Sequence, residues 1–172
     1  VLEALASADQ LIFDKTGTLT LGNMSVSEVI ALADVSQQHM LQLAAGLESG
    51  SLHPIARAFT EVADRASVSA LEHKVGAGIS GDTVLPGGNN PTSPSRIAIG
   101  TPDYIGHLFN INVPGLPPSA SAKLPLLLAS EHGVLGWILL QDQLRPGGPQ
   151  AIEKLKSQGI GVSLLSGERQ SA

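Results

Sequence analysis

The sequence predicts a mixed α/β chain in two parts: a partial Rossmann-like layer built from both chain ends, and an α+β unit inserted between them. Three observations carry this reading. A short apolar run, Leu11-Ile12-Phe13, stops at a carboxylate on a glycine-bearing turn, Asp14-Lys15-Thr16-Gly17, and open α/β sheets gather ligands at the carboxyl ends of their strands. The C-terminal stretch reads as one helix and one apolar strand. Between these ends, helical spacing gives way from Leu71 onward to short strands separated by turn formers. The ends together make one layer, so the chain crosses between the parts twice, near Thr20–Ser25 and Asp142–Pro146. The predicted domains are 1–24 with 141–172, and an inserted 25–140.

In order, Val1–Ser7 reads as a short helical turn and Gln10–Phe13 as a strand. Ser25–Ala33 has strand character. Ser36 is the N-cap of a helix through Leu47, because its hydroxyl can accept from a backbone N–H that the first turn leaves unpaired. Met40, Leu43, Ala44 and Leu47 give that helix its apolar face. A second helix is expected from His53-Pro54, since proline at the first helical position loses no bond. Its stripe is Ile55, Phe59, Val62 and Ala66. Strands follow at Leu71–Val75, Asp82–Leu85, Arg96–Ile99, Leu124–Ala129 and Val134–Leu140, the last holding Trp137 as a core residue. Thr101 caps a short helix over Pro102–Phe109. Pro86–Pro94 and Asn110–Ser121 read as exposed loops. A helix over Gly148–Gln158 and a strand over Ile160–Leu165 complete the chain.

Composition excludes several functions. The net charge of −5 in 172 residues leaves no basic footprint for nucleic acid. Absence of cysteine removes disulfides, thiolate metal sites and a cysteine nucleophile. The longest charge-free stretch, Tyr104–Ala122, is broken by Pro114, Pro117 and Pro118 and lacks the roughly 20 continuous apolar residues a membrane helix needs. No basic region precedes a long apolar core at the start, and both ends read as cut, so the chain is expected to be a soluble piece of a larger membrane protein.

The chemistry centres on Asp14-Lys15-Thr16-Gly17-Thr18-Leu19-Thr20. A carboxylate at a strand end can attack phosphorus, and an adjacent ammonium can neutralise the charge arriving with a phosphoryl group. Gly17 lets backbone approach a phosphate, while Thr16 and Thr18 add hydroxyls. A second constellation is Glu48-Ser49-Gly50-Ser51-Leu52-His53-Pro54, in which an imidazole and a carboxylate could meet a purine. Gly76-Ala77-Gly78-Ile79-Ser80-Gly81 has glycine spacing but opens no helix, so a dinucleotide fingerprint is rejected and a turn between strands is the plain reading. His39, His73, His107 and His132 show no ligand spacing and read as ordinary residues.

The heptapeptide DKTGTLT resembles the phosphorylation signature of P-type cation-transporting ATPases, a branch of the haloacid dehalogenase-like superfamily. Ser51-Leu52-His53-Pro54 followed by Gly76-Ala77-Gly78 resembles the SxHP and GxG elements of their heavy-metal (type IB) group, and the resemblance covers Asp14 to Gly167. It implies a haloacid dehalogenase-type phosphorylation domain with an inserted nucleotide-binding domain, an antiparallel sheet flanked by helices. It implies Asp14 as the phospho-acceptor, assisted by Lys15 and Thr16, with Asp14 and Thr16 holding Mg²⁺. The remaining Mg²⁺ ligands are expected in a GDGxND element beyond residue 172. Glu48, His53, Gly76, Gly78, Ile79 and Gly100 are implied to bind ATP. Gly100-Thr101 stands where the family shows Gly-Asn. Asp142 and Arg145 resemble a DxxRP hinge, and Ser166-Gly167-Glu168 replaces the family's Thr-Gly-Asp at the transferring phosphate.

The related phosphatases carry a second Asp two places after the nucleophile. Thr16 in that place cannot act as general acid or base near neutral pH, which favours a persistent aspartyl-phosphate over hydrolysis. The expected function is the ATP-binding and phospho-acceptor region of a heavy-metal-translocating P-type ATPase, copper foremost, at the cytoplasmic face of a bacterial inner or plasma membrane. Expected cofactors are ATP and Mg²⁺, with a metal cation handled by membrane helices elsewhere. A haloacid dehalogenase-like phosphatase and a non-catalytic nucleotide-binding module are the alternatives.

Overall fold

The computed structural model describes residues 9–14, 18–85 and 93–165. The side chains of Asp14, Leu164 and Leu165 fall outside that description, as do the expected turn at Val1–Ser7 and residues 86–92 of the first loop. The chain divides into two compact units, Val1–Asn23 with Asp142–Ala172, and Met24–Gln141. The strands are β1 (Gln10–Asp14), β2 (Thr20–Ala31), β3 (Ser69–Lys74), β4 (Gly78–Thr83), β5 (Ser95–Gly100), β6 (Leu124–Ser130), β7 (Gly133–Leu144) and β8 (Gly161–Leu165). The helices are α1 (Gln37–Leu47), α2 (Pro102–Phe109) and α3 (Gly148–Ser157), with short 3₁₀ segments at Pro54–Phe59 and Pro118–Ala120.

In the first unit β1 and β8 pair in parallel, from Gln10↔Gly161 to Asp14↔Leu165. Parallel neighbours need a long crossover, and here it holds the whole inserted unit and α3. Gly147, at φ 83°, turns the chain into α3, and Lys154 and Lys156 in the last turn suit the negative end of that helix.

The second unit is built on a sheet of order β2-β7-β6-β5-β4-β3, antiparallel from β3 through β7. Both faces of its centre are covered, so β5, β6 and β7 carry runs of buried residues where a one-sided strand would alternate. On one face Met40, Leu43 and Leu47 of α1 pack with Phe59, Ile79, Ile97, Ile99, Leu126, Leu128, Ile138 and Leu140. On the other, Ile105 of α2 joins Ala98, Leu127, Ala129, Trp137 and Leu139. Gly46 lets α1 lie tight against the chain that follows: a Cβ there would stand 2.4 Å from Ala66 O.

Capping chemistry explains both helices of this unit. Ser36 Oγ accepts from His39 N at 3.1 Å, and Thr101 Oγ1 accepts from Tyr104 N at 3.3 Å. The helix expected from Pro54 to Ala66 is a correction: only six residues coil, as a 3₁₀ segment ending at Phe59. Asp64 takes a left-handed φ of 52°, and Ala66 N donates to Gln42 O of α1, so tertiary contact takes the backbone that a helix would have used. The expected stripe is nonetheless spent on the core, with Ile55, Val62 and Ala66 packed beside Phe59. A second correction concerns β4, which begins at Gly78, before the expected Asp82, and ends at Thr83. β2 and β7 also run further than expected, from Thr20 and to Leu144. The Asn110–Ser121 stretch is not wholly exposed, since Ile111 and Ala120 pack on the second core.

Candidate nucleotide and phosphate site

Glu48 is the C-cap of α1, and its backbone N–H donates to Ala44 O at 3.0 Å. From there the chain turns tightly through Gly50, at φ 83°. Ser51 N donates to Glu48 O at 3.0 Å, and Ser51 Oγ accepts from His53 N at 3.2 Å. The Ser51 hydroxyl also bonds the Glu48 carboxylate. His53 then caps the 3₁₀ segment, its Nδ1 accepting from Ile55 N at 3.3 Å. Because Nδ1 accepts in this bond, the other ring nitrogen, Nε2, is the one left to carry an N–H. The exposed ring thus caps through one nitrogen and keeps an N–H for another partner.

Glu48 is half-buried, and its Oε2 is shielded from solvent without a hydrogen-bond partner among the described residues. Burial pushes its carboxyl above the ordinary 4.5, opposed by the Ser51 hydrogen bond and, when they are protonated, by the nearby imidazoles of His53 and His73. A half-satisfied acceptor beside a free imidazole N–H can take a ligand that presents both a donor and an acceptor edge.

The glycines divide by role. Gly78 and Gly100 are register partners in β4 and β5. A Cβ on Gly78 would meet Ile99 O at 2.4 Å, and one on Gly100 would meet Ala77 O at 2.3 Å. Thr101 N donates to Ala77 O at 2.7 Å, closing this approach. These two glycines therefore serve backbone packing whatever else they touch. Gly76 has φ 71° with nothing within 4 Å of a built Cβ, so it serves the β3–β4 turn and leaves open space beside it. Ile79 is 5% exposed and belongs to the α1-side core, so it supports the site from beneath and offers no exposed wall.

Sequence spacing misses His73. It pairs with Ile79 across β3 and β4, and when protonated it lowers the Glu48 pKa. No local signal marks it, since strand pairing alone brings it near. A groove of about 530 Å³ opens elsewhere on this unit, lined in part by His39, Gln42, Asp64 and Ser67. None of the expected nucleotide residues borders it, and Thr83 Oγ1 already donates to Ser67 O at 2.8 Å there.

In the first unit Asp14 ends β1, opposite Leu165 of β8. Lys15, Thr16, Gly17, Ser166, Gly167 and Glu168 lie outside the described residues. Thr20 Oγ1 donates to Asp142 Oδ2 at 2.5 Å, and Arg145 N donates to Leu19 O at 2.8 Å. These bonds tie together the two points where the chain leaves and re-enters this unit. Asp142 Oδ1 is buried without a partner among the described residues. No cluster of three His, Asp or Glu suited to a metal occurs among them either.

Comparison with known proteins shows the family. A family model for haloacid dehalogenase-like hydrolases matches residues 9–172. A probable copper-transporting ATPase, SynA, of Synechococcus is 34% identical over 177 residues, covering 99% of this chain and 21% of that protein. A copper-exporting P-type ATPase B of Archaeoglobus fulgidus is 34% identical over 161 residues, 92% of this chain and 22% of its own length. Among solved structures, a zinc-transporting PIB-type ATPase in the E2.Pi state superposes with a TM-score of 0.73 at 29% identity, over 98% of this chain and 27% of that one. The chain thus spans about a fifth of the curated relatives it matches. By the family match along nearly all of its length, the chain belongs to the haloacid dehalogenase-like hydrolases.

Proposed function

We propose that this chain is the ATP-binding and phospho-acceptor region of a heavy-metal-translocating P-type ATPase. The observation that carries the reading is the Glu48–Ser51–His53 turn, with a shielded carboxylate oxygen left unpartnered beside an imidazole that keeps one N–H free. An adenine offers its amino group to the carboxylate and a ring nitrogen to the imidazole. The open space at Gly76 leaves room for the rest of the nucleotide.

Asp14 is the proposed acceptor. Its carboxylate oxygen forms a bond to the γ-phosphorus of ATP as the bond from phosphorus to the β–γ bridging oxygen breaks, and ADP leaves with that electron pair. Lys15 offsets negative charge on the transferring group. Thr16 supplies no second carboxylate to activate water, so the acyl phosphate persists and its energy can drive another step. This departure disfavours the phosphatase reading.

Asp14 and Thr16 are the residues that would hold Mg²⁺. They are oxygen donors of the kind that ion prefers, but two ligands fall short of its octahedral shell. Bound there, Mg²⁺ would neutralise phosphate charge, and none of the steps above is routed through it.

Copper is the proposed cargo, because the relatives compared are a probable copper-transporting ATPase and a copper-exporting P-type ATPase, although a solved neighbour is a zinc-transporting one. The parent protein would sit in a membrane with this region on the cytoplasmic side. The test is calorimetric titration of the chain with ATP. His53→Ala should weaken binding about tenfold, as expected for loss of about 1.4 kcal/mol, while far-UV circular dichroism stays unchanged. An unaltered titration removes the nucleotide assignment. Transfer of ³²P from γ-labelled ATP to a longer protein carrying this region, abolished by Asp14→Asn, tests the acceptor. Metal-stimulated ATPase activity of that protein, with copper(I) against zinc, tests the cargo.

A further inference from the structure

We infer that His73 is an additional nucleotide-binding residue, contacting the nucleoside end of the ligand beside Glu48. The inference rests on the nucleotide reading above and deepens it. Strand parity supplies the geometry. Glu72 bonds Arg96 at 2.8 Å, and Arg96 also reaches Asp82 at 3.1 Å and Ser80 at 3.0 Å. All four therefore share one face of the β3-β4-β5 edge. The next residue, His73, points to the opposite face.

That opposite face is the one α1 covers. His73 is the register partner of Ile79, and Ile79 pairs with Ile99; both isoleucines pack in the cluster that holds Leu43 and Leu47 of α1. Directly opposed residues of antiparallel strands hold their Cβ atoms about 5 Å apart. Glu48 follows Leu47 at the end of that helix, which places its carboxylate near the imidazole of His73.

β3 is the outermost strand, and His73 is exposed beyond the buried Ile79. Its ring makes no hydrogen bond or ion pair among the described residues. Two exposed imidazoles, His53 on the 3₁₀ segment and His73 on the sheet edge, thus flank one half-buried carboxylate with a vacant acceptor. His73 can pack against a purine held by Glu48, or donate to its ribose. Either contact lies at the nucleoside end, away from the phosphates.

The test uses the 172-residue chain. In the wild type, addition of AMP should shift the imidazole resonances of His73, assigned with His73→Gln, and leave those of His107 in place. By calorimetry, His73→Ala should weaken ATP and AMP to the same extent, about three- to tenfold, as for one contact of ordinary strength. A loss seen with ATP alone overturns the nucleoside assignment. Unchanged affinities in His73→Ala, with His53→Ala and Glu48→Ala both weakened, overturn the inference and leave the nucleotide site standing. Unchanged affinities in all three variants overturn the site itself. If His73→Ala fails to fold, the wild-type resonances decide: no shift on adding AMP refutes the contact.

Discussion

Gly78→Ala separates a glycine kept for packing from one kept for a ligand. An added Cβ would stand 2.4 Å from Ile99 O, 2.7 Å from Tyr104 Cδ1 and 2.8 Å from Gly100 Cα. Tyr104 can swing away, but the other two atoms are backbone of the paired strand, so β4 and β5 must separate. Overpacking of this kind costs about 1–3 kcal/mol, and rigid backbone partners favour the upper end. Alanine returns about 0.5–1 kcal/mol, because glycine loses more chain entropy in a strand. The net is a loss of about 2 kcal/mol. At about 4 °C per kcal/mol for a unit of this size, the melting temperature should fall by about 8 °C. Gly76→Ala meets nothing within 4 Å and costs only its left-handed backbone, about 1 kcal/mol, or about 4 °C. Both are measured by circular-dichroism melts of the whole chain, beside ATP titrations at 10 °C. If Gly78→Ala melts with the wild type and yet loses ATP, the packing argument is wrong and the glycine is kept for the ligand.

Three other outcomes follow from the geometry. Because burial raises the Glu48 pKa, the folded state takes up a proton at higher pH than the unfolded chain does. This group therefore subtracts stability at neutral pH, and the deficit fades as pH falls through the raised pKa toward 4.5. Glu48→Gln should remove that part of the slope in urea midpoints recorded against pH. ATP binding should weaken over the same range in the wild type, since only the charged carboxylate accepts without competition from its own proton. Leu43→Ala empties a fully buried position between α1 and the sheet and should cost about 2–5 kcal/mol by urea titration. Arg96→Met breaks contacts to Glu72 and Asp82, whose side chains are 73% and 33% exposed, so the loss should be about 1 kcal/mol and shrink in high salt.

What the sequence reveals here is what local chemistry decides. Thr101 and Pro102 announce α2 at its residue of origin, because a capping hydroxyl and a proline at the first turn need no distant partner. Ser36 does the same for α1. The 3₁₀ segment starts where His53-Pro54 says it does, but its length depends on Asp64 turning left-handed and Ala66 reaching Gln42 O, neither of which periodicity can report. Gly78-Ile79-Ser80-Gly81 reads as a turn since glycine is poor strand material. It becomes β4 because β5 presents Gly100 to meet it. β2 and β7 run on through polar residues such as Asn23, Gln141 and Asp142, where strand character comes from lying next to each other. The site is divided in the same way. Glu48 and His53 lie within one short turn and are legible together, whereas His73 joins them only through the β3–β4 register.

That division bears on how the Glu48 oxygen should be understood. An unpartnered buried acceptor costs about 1–3 kcal/mol, and a fold selected for stability alone would fill or remove it. Ser51 is already engaged with both Glu48 and His53, and His53 with Ile55, so neighbouring groups hold the carboxylate in place without satisfying it. Asp142 also keeps one oxygen unpartnered, but its other oxygen holds Thr20, so its removal must loosen the fold there. Among the described residues Glu48 has no comparable long-range tie; its hydrogen bond goes to Ser51 in the same turn. A residue that lowers stability, is oriented by its neighbours and retains an open acceptor is expected where a ligand completes the set. Truncating Glu48 should therefore raise or spare the melting temperature while lowering affinity for ATP, and truncating Asp142 should lower the melting temperature. A structural carboxylate at position 48 would give the reverse of the first result, with stability lost and affinity kept.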